Sequence, residues 1–418
     1  MYLKDIFKLI GGNLYSDVKV NKIKTNSKEI SEGDLFIAIN SGHDYIIDAI
    51  NNGASAIISE KDFNYDIPKI IVNSTIESLG KIAKYIRSSY NIPLIAITGS
   101  VGKTTTKELI YSILSEKYKV LKSLKNQNNH IGLPLTLFNL DATYDVIVVE
   151  LGMNHFNEIS YLSQICKPDY AIITNIGSAH IGNLGSKKNI LKAKLEILDG
   201  LNNGYLIVNK NDKYLKKLKY PNIIKVNDKT LKVKNLNIGK NVTFDIDDVH
   251  FIFNSYSHLL DNVFIAIKIG LMFDIDLKTI SEVIKKYQNI EGRLNIIKNK
   301  YTIIDDSYNS SFESLIGGLK QLENKDEFKI IVLGDMLELG KYSNTYHKKI
   351  NKYLKKIKNK EVLLIGKYTN LIKGKHFDNV KDIISYIKTK DINGSIIYVK
   401  GSHAFNLDKI KDTLNVSC

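Results

Sequence analysis

Apolar positions along the chain fall into short runs separated by longer segments with three-to-four-residue spacing, the signature of strands alternating with amphipathic helices. Up to residue 92 the strand-like runs are 35–39, 56–59 and 69–72, with helical spacing at 45–51 and 75–90. They predict a small N-terminal α/β domain over residues 1–92, ended by Asn91-Ile92-Pro93, because a proline disfavours helical geometry in the residue before it. Over 93–290, runs at 94–98, 145–150, 170–175 and 205–209 alternate with helical stretches and finish in amphipathic patterns at 258–273 and 277–287. Alternation of this kind predicts a central parallel sheet covered by helices. A second series, with strands at 301–305, 329–333, 361–365 and 395–399, predicts a doubly wound, Rossmann-like C-terminal domain over 291–418. The expected fold class is α/β in three domains, with short hinges, since no repeat or low-complexity linker separates them.

Length agrees with this division: 418 residues at about 150 per domain give two or three domains. With 44% apolar and 25% charged residues, the composition is that of a globular chain rather than a disordered one. No apolar run approaches the ~18 residues of a spanning helix, and Asp5, Lys8 and Asp17 interrupt the place where a secretory signal needs an apolar stretch. A cytoplasmic location without membrane insertion is expected. Cys166 and Cys418 show no paired spacing for zinc and read as structural thiols.

Net charge changes the picture less than its size suggests. The chain carries +15, with 11 basic against 11 acidic residues in 1–93, 25 against 18 in 94–290, and 23 against 15 in 291–418. A field of that sign attracts phosphate-rich ligands. Yet 57 of the basic residues are lysine and only Arg87 and Arg293 are arginine, which reads as compositional drift. The lysine-dense run 348–360 reads as the wet face of a helix, so no nucleic-acid partner is expected.

The strongest chemical signal is Ile95-Ala96-Ile97-Thr98-Gly99-Ser100-Val101-Gly102-Lys103-Thr104-Thr105-Thr106, a strand entering a helix through a glycine loop. Backbone N–H groups of such a loop cradle phosphates, a lysine reaches the β and γ phosphates, and a hydroxyl can hold magnesium. Ile97 stands where the common pattern has its first glycine, so this loop is a shorter variant built on Gly99 and Gly102. It makes the central domain an ATPase-type domain. Glu150, ending the 145–150 run, should emerge at the same sheet edge, where a magnesium ligand belongs. His180 follows a third strand and, alone, reads as an ordinary loop histidine. Lys194 sits among apolar neighbours, and from the residues alone a snorkelling surface lysine is the plain account. His258 and Asn262 lie one helical turn apart, facing either one ligand or a helix cap.

In order along the chain stand the phosphate loop, Asn126-Gln127-Asn128-Asn129-His130-Ile131-Gly132, Glu150-Leu151-Gly152-Met153-Asn154-His155, Thr174-Asn175-Ile176-Gly177-Ser178-Ala179-His180 and Ala193-Lys194-Leu195-Glu196. After them come His258 with Asn262, Glu291-Gly292-Arg293, Asp305-Asp306-Ser307-Tyr308-Asn309, Gly334-Asp335-Met336-Leu337-Glu338-Leu339-Gly340 and Lys400-Gly401-Ser402. This series, spanning roughly 25 to 405, resembles the Mur ligases. The Asp-Asp-Ser-Tyr-Asn and Gly-Asp-Met-x-Glu-Leu-Gly stretches resemble the branch that joins D-Ala-D-Ala to UDP-MurNAc-tripeptide, and no Asp-Asn-Pro-Arg segment of the diaminopimelate-adding branch is present.

The resemblance implies an ATP-dependent amide ligase of peptidoglycan synthesis, acting as a monomer. ATP phosphorylates the terminal carboxylate, and the incoming amine attacks the acyl phosphate to give amide, ADP and phosphate. By position, Gly99, Ser100, Gly102, Lys103, Thr104 and Thr105 would hold the nucleotide phosphates, Asn262 and His258 the adenine side, and Arg293 the phosphates from the third domain. Thr104 and Glu150 would hold one Mg2+ and His180 a second, with Lys194 carrying a carbamate beside the metals. Lys103, Lys194, His180, Arg293 and Asp306 would form the catalytic set. Ser27, Asn128, Asn129, Tyr308, Asn309 and Lys400 would face the substrates.

The chain departs from the family pattern at Asn26-Ser27-Lys28, at the shortened Ser41-Gly42-His43-Asp44-Tyr45, at Ser310-Ser311-Phe312 and at His403. A sibling ligase with a different amine acceptor is the alternative within the class. A nucleotide-gated binding module is the alternative outside it; it would need Thr104 and Glu150 but neither Lys194 nor Arg293.

Overall fold

The structure, a computed structural model, describes residues 1–239, 241–298 and 300–415; Cys418 lies outside them. In the N-terminal domain five strands lie in the order Asn13–Leu14, Lys69–Ile71, Ala54–Ser59, Asp34–Ile37, Ile23–Lys24. All pair in parallel except Asn13–Leu14, which runs antiparallel to Lys69–Ile71. Leu35, Ile37, Ala56, Ile58 and Ile70 from the sheet pack with Leu79 and Ile82 of the helix Thr75–Ser88. Ser74 caps that helix, its hydroxyl accepting from the Glu77 N–H at 3.2 Å.

The far end of the helix ties this domain to the next. Arg87, which is buried, donates from Nε to the Cys166 carbonyl at 2.8 Å and from Nη1 to the Tyr90 carbonyl at 2.9 Å. Its Nη2 lies 3.5 Å from Asp169 Oδ2. Burial pushes the Cys166 thiol up to about 12, which makes it the inert structural thiol expected.

The central sheet runs Ile223–Val226, Tyr205–Asn209, Tyr170–Ile173, Leu94–Thr98, Val146–Glu150, Val120–Lys122, every pair parallel. Leu94–Thr98 and Val146–Glu150 are buried at every position, as strands covered on both faces must be. Register pairs Ile97 with Glu150 and Thr98 with Ile173, so the phosphate loop, Glu150 and the segment after Ile173 leave the sheet at one edge.

One part of this domain differs from the sequence expectation. Lys234–Ile238, Val242–Ile246 and Val249–Phe253 form a separate antiparallel sheet rather than part of the parallel alternation. The period-2 signal was present in Val242–Ile246, which alternates buried and half-buried residues, with Phe244 stacked on Phe251 at 5.0 Å. Lys234–Ile238 is exposed throughout, and its Leu236 and Ile238 alternate with asparagines over too few residues to stand out. Helices Leu260–Met272 and Leu277–Lys286 follow, close to their expected bounds.

The C-terminal sheet has the order Asn295–Lys298, Thr302–Asp305, Ile396–Lys400, Lys329–Gly334, Lys360–Ile365, Lys375–Phe377. It is parallel except for Asn295–Lys298, an antiparallel edge strand added to the doubly wound pattern. In the helix Ser343–Leu354, His347, Ile350 and Leu354 face the core while Lys348, Lys349 and Lys352 are exposed, the wet face read from the sequence.

Ser311, where the family pattern has another residue, caps the helix Phe312–Lys320 in a capping box with Ser314. The central and C-terminal domains touch directly. Ser178 donates from N–H and hydroxyl to Glu313 Oε2 at 2.9 and 2.7 Å, Lys187 donates to Glu313 Oε1 at 2.8 Å, and Tyr342 donates to the Gly185 carbonyl at 2.5 Å. Among the described residues, no helix is long and apolar enough to cross a membrane.

Replacing Arg87 with alanine leaves the buried Cys166 carbonyl without its donor, a loss of about 2 kcal/mol. Calorimetry should show a lowered unfolding temperature in Arg87→Ala. An unchanged transition would mean that the N-terminal and central domains are held together elsewhere.

Candidate active site

The glycine loop between Thr98 and Lys103 is shaped by what lies beneath it. Gly102, at φ 83°, is the residue from which the helix Lys103–Leu114 starts, and a Cβ there would fall 2.3 Å from Asn262 Nδ2. A Cβ on Gly99 would fall 1.8 Å from Thr174 Oγ1. Glycine is therefore required at both positions by packing as well as by conformation.

The loop is stitched to the neighbouring strand end. The Ser100 N–H donates to the Asn175 carbonyl at 3.1 Å and the Val101 N–H to Asn175 Oδ1 at 3.0 Å, while Thr174 and Asn175 side chains donate to the Val101 carbonyl at 2.7 and 2.9 Å. The loop is fixed before any ligand arrives, with a helix N-terminus behind it.

Glu150 arrives from the adjacent strand, buried. Thr104 Oγ1 donates to its Oε2 at 2.8 Å and Asn128 Nδ2 to its Oε1 at 2.8 Å. Asn129 holds the start of the helix Gly132–Leu137, its Oδ1 accepting from the N–H groups of Ile131 and Gly132 at 3.1 and 2.8 Å. Lys103 folds back over the loop, donating to the Gly99 carbonyl at 3.0 Å. Burial holds its ammonium below the ordinary lysine value, with Glu150 and Glu338 opposing and Arg293 adding to the shift.

Lys194 corrects the plain sequence account. It is 1% exposed, on the helix Lys187–Leu195. Burial first and the charge of Lys103 second push its pKa well below the ordinary value, against the pull of Glu150 and Glu338. A snorkelling surface lysine would keep its head in water, whereas this one is sealed away from it. His180 stands in the left-handed region at φ 62°. Its imidazole is held down to about 3 by burial and by Lys103 and Lys194, so it is neutral at physiological pH.

The C-terminal domain supplies the opposite wall. Arg293 lays its guanidinium over the Tyr308 ring at 4.3 Å, and Tyr308 in turn lies beside His403, ring centroids 6.1 Å apart. Asp306 and Lys400 are both buried and bonded to each other, Lys400 Nζ donating to Asp306 Oδ2 at 2.6 Å and to the Asn309 carbonyl at 3.0 Å. Tyr398 adds a third bond, to Asp306 Oδ2 at 3.1 Å. Burial raises the Asp306 pKa while Lys400 and Tyr398 hold it down. These contacts fix the loop that presents Tyr308 and Asn309.

A cavity of 340 Å³ gathers Ser100, Gly102, Lys103, Thr105, Asn128, Asn129, Glu150, His180 and His258 from the central domain. Arg293, Asp306, Tyr308, Asn309 and Lys400 face them from the C-terminal domain. Thr104 reaches it through Glu150, and Lys194 lies close enough to feel Lys103, Glu150 and Glu338. Two sequence candidates lie elsewhere. Asn262 sits under the loop, donating to Thr106 Oγ1 at 2.8 Å and to the Gly102 carbonyl at 3.3 Å. Ser27 stays in the N-terminal domain, where its carbonyl accepts from Asn52 at 3.0 Å. His258, buried at Nδ1 without a partner, also borders a second cavity of 740 Å³ lined by Lys210, Asn211 and Asp261.

Two residues with no assigned role belong to the site. Glu338 lines the cavity from the C-terminal domain, its Oε2 3.1 Å from His180 Nδ1, and Glu313 binds Ser178 and Lys187 just outside. The signal for Glu338 was the Gly-Asp-Met-x-Glu-Leu-Gly stretch that contains it; Glu313 lay in no motif.

Comparison with known proteins agrees with this geometry. The Mur ligase middle domain matches residues 97–272, and the Mur ligase glutamate ligase domain matches 292–403. The UDP-N-acetylmuramoyl-tripeptide–D-alanyl-D-alanine ligase of Buchnera aphidicola subsp. Baizongia pistaciae is 36% identical, over 95% of this chain and 93% of its own. MurF from Acinetobacter baumannii superposes with a TM-score of 0.87 at 26% identity, over 98% of both chains. MurF of Thermotoga maritima, solved in complex with ADP, gives 0.84 at 26% identity, over 95% of this chain and 98% of that one. With phosphate loop and third-domain arginine in one cavity, the buried Lys194 beside it, and relatives matched over nearly their whole length, the chain belongs to the Mur ligases, in their UDP-N-acetylmuramoyl-tripeptide–D-alanyl-D-alanine ligase branch.

Proposed function

We propose that this chain joins D-Ala-D-Ala to UDP-MurNAc-tripeptide at the expense of ATP, in the cytoplasm and as a monomer, since one chain supplies every wall of the cavity. The observation that carries the reading is the convergence of the phosphate loop with Arg293, Tyr308 and Asn309 from the other domain in one cavity. Residues 1–92 would hold the uridine end, with Ser27 among the contacts. Residues 93–290 would hold ATP, and residues 291–418 the acceptor.

The tripeptide carboxylate attacks the γ-phosphorus, ADP leaves, the amine then attacks the acyl carbon, and phosphate departs as the amide forms. Lys103 would stabilise charge developing on the transferred phosphoryl, backed by the N–H groups of the fixed loop. Arg293, braced flat against Tyr308, would meet the phosphates with its planar fork. Asp306 would act by positioning, since Lys400 and Tyr398 already occupy its carboxylate.

The residues fit magnesium. Among the described residues no three His, Cys, Asp or Glu side chains form a ready-made cage. Mg2+ is commonly held by one or two carboxylates together with substrate phosphates. Thr104 and Glu150, 2.8 Å apart, offer that oxygen pair, and neutral His180 offers a nitrogen for a second ion. Bound there, the metal would neutralise charge on the phosphate oxygens. Burial favours the neutral amine of Lys194, the form that adds carbon dioxide, and the resulting carbamate would place an anion beside the metals.

Incubation with ATP, Mg2+ and UDP-MurNAc-tripeptide should release ADP and yield the pentapeptide product by mass spectrometry when D-Ala-D-Ala is added. Lys103→Ala should lower that rate by 100-fold or more, about 3 kcal/mol. ADP release without amide product, or a folded Lys103→Ala within tenfold of the parent, would contradict the reading.

Arg293→Lys keeps the charge but loses the fork stacked on Tyr308. Its kcat/KM for ATP should fall at least tenfold in steady-state assays; a parental value would make Arg293 a bystander.

A further inference from the structure

Four carboxylates line the cavity, and each accepts from at least one protein donor. Glu150 accepts from Thr104 and Asn128, Glu158 from the Asn154 N–H, and Asp306 from Lys400 and Tyr398. Glu338 differs in what its second oxygen meets. It shares a hydrogen bond with the Asn309 side chain, and its other approach is to His180, Oε2 to Nδ1 3.1 Å, without a hydrogen bond between them. His180 Nδ1 is shut off from solvent and has no hydrogen-bond partner at all. Such a nitrogen, beside a carboxylate that it does not bond, is costly unless something between them satisfies both.

The backbone on either side of Glu338 is rigidly held. Asp335 accepts from the N–H groups of Tyr368 and Thr369 at 3.0 and 2.8 Å, and His347 accepts from the Met336 N–H at 3.0 Å while its other nitrogen bonds the Ser343 carbonyl at 2.8 Å. Across the gap, Gly340 passes so close to Gly182 that a Cβ on it would stand 2.8 Å from the Gly182 Cα. Glu338 is thus brought to His180 by a fitted contact between two domains.

The separation has a meaning. An octahedral Mg2+ with ligands at 2.0–2.1 Å sets neighbouring donors about 3 Å apart. We propose that Glu338 and His180 are adjacent ligands of one divalent cation, so that the C-terminal domain contributes a carboxylate to the second metal site and the ion bridges the two domains. This deepens the ligase reading and rests on it. A direct carboxylate–imidazole hydrogen bond is the competing account of the contact, but although the two atoms lie 3.1 Å apart, His180 Nδ1 makes no hydrogen bond there.

The test is Mn2+ binding to the full chain, followed by electron paramagnetic resonance, with the ATP analogue AMPPCP and UDP-MurNAc-tripeptide present. The parent should bind two ions. Glu338→Gln should bind the first as the parent does and the second at least tenfold more weakly, with Glu338→Asp in between; Glu150→Gln should weaken the other ion instead. Matching melting curves would show the variants folded. Two ions bound by Glu338→Gln at parental affinity would overturn the proposal, as would a parent that binds only one. If the ions stay and the KM for D-Ala-D-Ala rises instead, Glu338 meets the incoming ammonium and the metal assignment is wrong. Absence of any amide product from the parent would count against the ligase reading, which the ion count does not touch.

Discussion

Lys103 and Lys194 share one dehydrated region, and the charge of the first presses on the second. Water normally screens two ammonium groups from each other; here burial removes it, and the cost of charging rises for both. Lys194 gives way further because it lies deeper, sealed on its helix at 1% exposure. The same pressure keeps His180 neutral. The site is thereby left with two buried lysines whose ammonium forms are disfavoured and one neutral imidazole. If Lys194 becomes a carbamate, the like-charge conflict turns into an attraction.

The second domain completes this arrangement, adding Arg293 and Glu338 to the charges around Lys103. The central sheet delivers the phosphate loop and Glu150 to one edge by register alone. The opposite wall comes from the C-terminal domain, where the buried Lys400–Asp306 pair sets the loop that carries Tyr308 and Asn309, and Tyr308 sets the plane of Arg293. Glu313, tied to Ser178 and Lys187, holds the walls together immediately outside. Removing water from the space between them strengthens every charge interaction within it. A protein whose two walls separated would lose the cavity, and with it the approach of Glu338 to His180 and Lys194.

The parts legible in the sequence were those that local physics decides. Buried parallel strands read as apolar runs, and the glycine loop at a strand-to-helix junction announced an anion site, so the three-domain α/β fold and Gly99 to Thr105 could be placed directly. Lys194 could not, because a lysine among apolar residues looks the same whether it escapes to the surface or is sealed beneath neighbouring elements. Only the family resemblance singled it out. Glu313 was invisible for a related reason: its partner Ser178 is 135 positions away, and no local pattern encodes that meeting. The antiparallel sheet over 234–253 was missed because its strands are five residues each and the outer one is exposed throughout, leaving only Leu236 and Ile238 as an apolar alternation.

The central claim, that burial beside Lys103 lowers the Lys194 pKa and so favours uptake of carbon dioxide by its amine, is tested most directly by 13C NMR of the chain in 13C-labelled bicarbonate. The account predicts a protein-bound carbamate resonance in the parent that disappears in Lys194→Ala. A spectrum without that resonance, together with a Lys194 that titrates as an ordinary lysine, would contradict it.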